Sequence, residues 1–355
     1  MTELSLVLVF LAGFAATLGL TPLVRSWAAR VGLMDVPRLT RHTHTKPVAR
    51  PGGIAVCGGF AGALLLSLML PPLDHQPGEY TRYLVLLGGA GLALTLGLID
   101  DVYQFGPVLQ LGGQIVIATL VFFGGLRVEL VNNPFGDQVE LAGWAAFAFT
   151  LLWIVGFMNT VNWLDGLDGL AAGVAAVAGV VLCVHSLSLD QPQYSVAALA
   201  LALVGAALGF LPFNFNPATI FLGSAGSYFL GFALAALAIA GGAKIATAIL
   251  VVGVPIVDVA WVIVQRAASG ASPFHGDRRH LHHRLLDLGY SQRQIVIAFY
   301  AACALLGTLA LVLSKAQKVY AFTGLVVGIG AIAVFVARRP LARRTDGRRR
   351  TDDSS

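Results

Sequence analysis

The chain has 355 residues, of which 57% are hydrophobic and 12% charged, and its mean hydropathy is +0.79. Soluble domains carry about 25% charged residues, so this composition excludes an ordinary soluble domain and points to a membrane protein. The formal net charge of +5, by its distribution, reports topology and attraction to anionic headgroups and argues against nucleic acid as a partner.

A membrane-crossing helix needs about 20 mostly apolar residues. In chain order the apolar runs predict spans at roughly 4–24, 54–72, 83–99, 107–125, 143–158, 169–187, 196–212, 225–241, 243–264, 294–314 and 319–337. The residues before the first run, "MTELS", lack a basic segment, and the first Arg, Arg25, follows that run. A cleaved signal has the reverse order, so the first run reads as a retained span. Only "GGAK" separates the eighth and ninth runs, which predicts a tight hairpin. The expected fold is an all-α polytopic membrane protein of about eleven transmembrane helices. It forms one domain over 1–337, followed by a basic, disordered cytoplasmic tail at 338–355.

Eleven spans place alternate loops on opposite sides. One side then carries 18 of the 23 Lys and Arg, from Arg25 to the seven arginines of the tail, and the other carries Arg82, Arg127, Lys244, Lys315 and Lys318. Positive loops stay cytoplasmic, so the N-terminus is expected outside and the C-terminus inside. The tail "RRPLARRTDGRRR" reads as a juxtamembrane anchor. Cys57, Cys183 and Cys303 all sit in apolar runs at no ligand-like spacing, so they read as small buried hydrophobes.

The chemistry clusters on the cytoplasmic side. Asp100 and Asp101 close the third span, and Asn159, Asn162, Asp165 and Asp168 recur every third residue in "NTVNWLDGLDGL". Charge at membrane depth is expensive and usually functional. Spacing of three keeps these groups on one slowly drifting helical face. Two Asp, two Asn and two Gly in so short a stretch suit a divalent cation or a phosphate. The segment "FNFNPATIFLGSAGS" (213–227) is polar and uncharged at a helix junction, and Asp258 closes "VGVPIVD". His280, His282 and His283 stand among Asp277, Arg278, Arg279 and Arg284, which suits anion binding better than zinc, because thiolate partners and a usual ligand spacing are both missing. Carboxylates and amides rimmed by Arg, Lys and His fit a phosphorylated or nucleotide substrate with Mg2+, Mn2+ being the substitute. The polar motifs sit at span ends on one face, whereas transporters place their sites near the bilayer midplane.

The ordered set "GLMDVPRLTRHTHTKPVARPGG", "GLIDD", "NTVNWLDGLDGLAAG", "FNFNPATIFLGSAGS", "VPIVD" and "DRRHLHHRLLDLG" resembles the polyprenyl-phosphate N-acetylhexosamine-1-phosphate transferases. The "HLHH" loop and the eleven-span layout resemble the GlcNAc-1-phosphate branch more than the phospho-MurNAc-pentapeptide branch. The resemblance implies a multi-pass protein of the bacterial plasma membrane with its active site facing the cytoplasm. It implies a reaction in which a phosphate oxygen of undecaprenyl phosphate attacks the β-phosphorus of a UDP-N-acetylhexosamine. UMP leaves, and an undecaprenyl-diphosphate-sugar remains to initiate a cell-envelope glycan. By matched position, the resemblance assigns Asp100, Asp101, Asp165 and Asp168 to catalysis, with Asp100 deprotonating or orienting the prenyl phosphate. It assigns Asn162 to the metal or diphosphate and Asn214 and Phe221 to the uridine. Lys46 and Arg50 fall to the phosphates, and His280, His282, His283 and Arg284 to the sugar and diphosphate. Asn159 belongs with the substrate-binding set, and the resemblance makes a homodimer plausible.

Two positions depart from the family pattern. In F-x-G-D-x-G-S the Asp is the best-supported Mg2+ ligand, and this chain has Ser224 there. Ten residues after Asp100 the family carries a Lys, and this chain has Gln110. A serine hydroxyl ligates Mg2+ in phosphate-binding loops, but as a weaker, neutral ligand. Losing electrostatic stabilisation at a transfer site costs about 10²–10³ in rate. One reading is a weakened but active enzyme, favoured by the intact acids and His loop. The alternative is a silent homologue that still binds prenyl phosphate or UDP-sugar.

Overall fold

The computed structural model describes residues 2–36, 47–70, 79–242, 244–269 and 280–338. Among them run thirteen helices: α1 (Thr2–Val31), α2 (Gly53–Ser67), α3 (Glu79–Tyr103), α4 (Pro107–Phe123), α5 (Gly143–Leu164), α6 (Leu170–Leu187), α7 (Tyr194–Asn214), α8 (Gly223–Ala240), α9 (Ile245–Val251), α10 (Gly253–Ala268), α11 (Leu281–Asp287), α12 (Gln292–Val312) and α13 (Lys315–Arg338). Lipid offers no partner to backbone N–H and C=O groups, so a chain this apolar satisfies them within helices. Each of the eleven predicted runs coincides with a helix or, in one case, with a helix pair. The molecule is an all-α polytopic membrane protein. Among the described residues seven helices are long and apolar enough to cross a bilayer, eight if the bent α9–α10 pair counts as one span, and α2 and α4 are shorter apolar helices.

One predicted span is corrected. The run 243–264 is not one straight helix: α9 and α10 meet at a bend of 77°. The break falls at Val252, which ends one helix and begins the next. Gly253 and Pro255 follow it directly, and such residues favour a bend. The tight link after α8 is present, with α9 starting just after Lys244.

The hub is α8. Every residue from Ala225 to Ala240 is buried, with α2, α3, α5, α6, α7 and α9 packed around it. A helix apolar on all sides belongs in such a position, and its Ala and Gly residues let neighbours approach closely. Two minimal antiparallel hairpins complete the described structure: β1 (Met34–Asp35) with β2 (Val48–Ala49), and β3 (Leu130–Asn132) with β4 (Gln138–Glu140). β2 also reaches the segment before α8, through the Ala49–Ile220 bridge and a bond from the Phe221 N–H to the Ala49 carbonyl at 2.8 Å. The C-terminal ends of α3, α5 and α7 and the N-terminal ends of α4, α6 and α8 therefore gather at one end of the bundle.

Candidate functional site

A cavity of about 500 Å³ opens at that end. Asp100, Asp101, Asn162, Asp165, Asp168, Asn214, Phe221, Ser224, Arg50 and His283 all line it, so motifs spread over most of the chain converge. Lys46 lies outside the described residues. Asn159 does not line the cavity: on α5, its amide donates to Gln114 Oε1 and to the Val155 carbonyl.

The two acids that end α3 are held differently. Asp101 caps α8, its Oδ1 accepting the Ser224 N–H at 2.9 Å and its Oδ2 the Ala225 N–H at 3.1 Å. A carboxylate at a helix N-terminus answers unpaired N–H groups and the positive end of the dipole. Gly223, first in α8, has φ +74°, and a Cβ there would lie 2.6 Å from both the Arg50 carbonyl oxygen and Asp101 Oδ2. Glycine alone fits that position. Asp100 directs Oδ1 to the Phe105 N–H (3.0 Å) and the Gln110 side-chain amide (2.8 Å). Gln110 thus holds the acid in place, and Oδ2 has no partner among the described residues.

Past the end of α5 the chain turns through Asp165–Gly169 into α6. Asp168 Oδ2 accepts from the Asn216 side chain (2.9 Å) and the Ala218 N–H (3.1 Å). Asn214 spends both ends of its amide on backbone, accepting from the Gly169 N–H (3.1 Å) and donating to the Ile220 carbonyl (3.0 Å). These bonds staple the turn to the segment before α8. Asn162 Oδ1 accepts the Ser227 hydroxyl at 2.8 Å. Asp165 is the least committed acid. Burial, then the charges of Asp101 and Asp168, push its carboxyl well above the usual carboxylate range, against the opposing Gly223 N–H.

The three histidines take three separate positions. His283 lines the cavity. His280 places Nδ1 3.0 Å from Asp258 Oδ2, and Asp258 Oδ1 accepts the Leu281 N–H at 2.8 Å. His282 is buried and stacks on His280, 5.6 Å between centroids. A Cβ on Gly166 would fall 2.5 Å from its Nε2, so Gly166 admits this ring. Burial, then His283 and His280, hold the His282 pKa well below its ordinary value, which keeps the ring neutral. Arg284 donates to Gln265 Oε1 at 3.0 Å. Sequence reasoning overlooked Asp258 as the loop's anchor, although its motif had been marked, and Asp35, which pairs with Arg50 at 2.6 Å.

Among the described residues no three His, Cys, Asp or Glu form a ready metal cage. Mg2+ does not require one: it keeps several waters and takes one or two carboxylates plus substrate phosphates. The hard oxygens of Asp165, the unpaired Asp168 Oδ1 and the Ser224 hydroxyl fit that ion.

The glycosyl transferase family 4 model matches residues 83–242. The chain is 33% identical over 319 residues to a Bacillus subtilis protein named "Probable undecaprenyl-phosphate N-acetylglucosaminyl 1-phosphate transferase", covering 88% of this chain and 86% of that one. It is 33% identical over 368 residues to the decaprenyl-phosphate N-acetylglucosaminephosphotransferase of Mycolicibacterium smegmatis, covering 96% and 89%. It is 33% identical over 320 residues to the phospho-N-acetylmuramoyl-pentapeptide-transferase of Geobacillus kaustophilus, covering 85% and 95%.

Proposed function

The chain belongs to glycosyl transferase family 4, the polyprenyl-phosphate sugar-1-phosphate transferases, and from that premise we propose that it transfers GlcNAc-1-phosphate from UDP-GlcNAc to undecaprenyl phosphate at the cytoplasmic face of a bacterial plasma membrane. The observation that carries this reading is the single cavity into which Asp100, Asp165 and Asp168 converge with Arg50 and His283. Phosphoryl transfer needs positioning and charge neutralisation more than covalent chemistry. Such a lining supplies both.

In this mechanism Asp100 meets the prenyl phosphate. Its Oδ1 is fixed by Phe105 and Gln110, which leaves Oδ2 to orient the attacking oxygen or accept its proton. That oxygen forms a bond to the β-phosphorus as the bond to the UMP oxygen breaks. Arg50 and His283 lie against the phosphates, and Phe221 offers an aromatic face to uracil. Asp101 is a positioning residue that sets the start of α8, and with it Ser224, against the reacting groups. Asp165, with Asp168 and Ser224, would hold Mg2+, which supplies charge neutralisation on the diphosphate.

A second reading is a silent homologue that binds prenyl phosphate or UDP-sugar, favoured by Ser224 and Gln110 at positions where the family carries charge. Against it stands the state of the acids. Asp100 has one oxygen fixed by the Phe105 N–H and the Gln110 amide and the other without a partner among the described residues, an arrangement suited to proton transfer or orientation of an attacking oxygen. Purified protein incubated with undecaprenyl phosphate, UDP-GlcNAc and Mg2+ is expected to release UMP and form a prenyl-diphosphate sugar. Absence of UMP with every UDP-N-acetylhexosamine, persisting in Ser224→Asp/Gln110→Lys, would establish the silent reading.

Gly223→Ala tests the Asp101 cap. The left-handed backbone disfavours a Cβ by roughly 1–2 kcal/mol, and the clash displaces the start of α8. A shift of 1 Å at a transfer site lowers rate about 10²-fold. UMP release should fall by about that factor, with a lower thermal unfolding midpoint. Turnover within threefold of the parent would show that the cap does not position the site.

A further inference from the structure

At the far end of the same helices lies a second large cavity, of about 620 Å³. It is bounded by the α6–α7 link, the α8–α9 link and the start of α13. The 18 residues of α6 separate it from the candidate site by about 27 Å at 1.5 Å per residue. It serves none of the roles assigned above.

Its lining is cationic. Lys244, Lys315 and Lys318 come to it from two separate elements, with His185 beside them. Lys244 is buried, at 4% exposure, and donates to Ser186 Oγ and to Gln193 Oε1, the latter at 2.8 Å. Lys318 donates to Thr247 Oγ1 at 3.2 Å, and His185 Nδ1 lies 3.4 Å from the same oxygen. All of these partners are neutral. Lys315 has no partner among the described residues. The one acid in the lining is Asp190, which is exposed and makes no ion pair with these lysines among the described residues.

Three ammonium groups around one cavity repel each other, and a buried Lys without a counter-charge is unfavourable. Burial alone pushes the Lys244 ammonium down to about 8. Each ammonium carries three donors. Lys244 has two described acceptors, Lys318 one and Lys315 none, so donors remain for a ligand with several anionic oxygens. Leu189 and Val319 in the same lining give that ligand an apolar flank. We propose that this cavity binds a phosphate group, either the headgroup phosphate of an anionic phospholipid or a soluble phosphate ester, at the end of the bundle opposite the candidate site.

The test uses the full chain in nanodiscs. One arm titrates phosphatidylglycerol into phosphatidylcholine discs and reads retained lipid by native mass spectrometry. The other adds sn-glycerol 3-phosphate to discs of phosphatidylcholine alone and reads 31P line broadening. Binding is expected in at least one arm, and the arm that responds identifies the source. A basic residue near a phosphate surface contributes about a factor of five, so Lys315→Gln should weaken binding about fivefold and Lys315→Gln/Lys318→Gln about 25-fold. Lys315→Arg/Lys318→Arg should retain it. Lys315 is exposed and without described partners, so the single variant is expected to fold, and its elution and unfolding midpoint check this. No binding in either arm, or binding in either that is indifferent to the two Gln variants, overturns the proposal. This result is independent of whether the opposite site turns over, so the two readings fail separately.

Discussion

Asp165→Asn should abolish most turnover while leaving the protein in chelator as stable as before, or slightly more so. Removing one preorganised charge from a transfer site costs about 10²–10³ in rate. Of Asp100, Asp101, Asp165 and Asp168, Asp165 has the fewest bonds to its own chain, the Gly223 N–H alone, so its loss falls on the reaction and not on the fold. The stability sign follows from the shift. Its carboxyl is held well above the usual range, by burial first and then by Asp101 and Asp168. A group whose pKa is raised on folding is destabilising in its charged form, so the folded state at neutral pH gains when that charge is replaced by an isosteric amide. UMP release with Mg2+ and thermal unfolding in chelator, measured on the same preparation, separate the two effects. Turnover within threefold of the parent would remove Asp165 from the reaction. A midpoint lowered by more than about 5 °C would make it a structural acid, as that shift corresponds to more than 1 kcal/mol.

Asp101→Asn is the instructive contrast. The two acids stand in equally polar motifs, and the resemblance groups both with catalysis. Yet Asp101 uses both oxygens on the N–H groups of Ser224 and Ala225, 123 and 124 residues later in the chain. Nothing in the spacing of "GLIDD" announces that partner. The same holds for Asn214, spent on the Gly169 N–H and the Ile220 carbonyl, and for His280, spent on Asp258. Residue type and motif show that a polar group at a helix end matters. They do not show whether it faces a ligand or ties two segments together, because that depends on contacts across the sequence. What was legible was the part set by local composition: a run of about 20 apolar residues has few options in lipid, so every predicted run met helix. The bend at Val252 was missed because hydrophobicity is continuous through it, and the signal that could have found it was the Gly253 and Pro255 that follow. Gly166 and Gly223 were visible as small residues in motifs, but the reasons differ. One admits the His282 ring, and the other takes a left-handed backbone beside the Asp101 carboxylate.

Ser224→Asp should raise turnover by about 10²–10³ and lower the Mg2+ concentration needed for half-maximal rate. Ser224 is the second residue of α8, and its N–H is already engaged by Asp101. A carboxylate in the first turn of a helix is favoured by about 0.3–1 kcal/mol, so the fold tolerates the charge. The residue lines the cavity together with Asp101, Asp165 and Asp168, where a further carboxylate strengthens attraction for a divalent cation and completes an oxygen set in which serine contributes only a neutral hydroxyl. Without the cation the same charge repels its neighbours, so the variant should unfold at lower temperature than the parent in chelator and be stabilised more steeply by added Mg2+. Ser224→Asn, with the shape and without the charge, should leave both turnover and the Mg2+ requirement near those of the parent. If Ser224→Asp and Ser224→Asn behave alike, charge at this position is not what distinguishes the chain from its relatives. A gain confined to Ser224→Asp would show a site intact in every respect but one carboxylate, with the helix start, the Asp101 cap and the Asp168 staple already set to receive it.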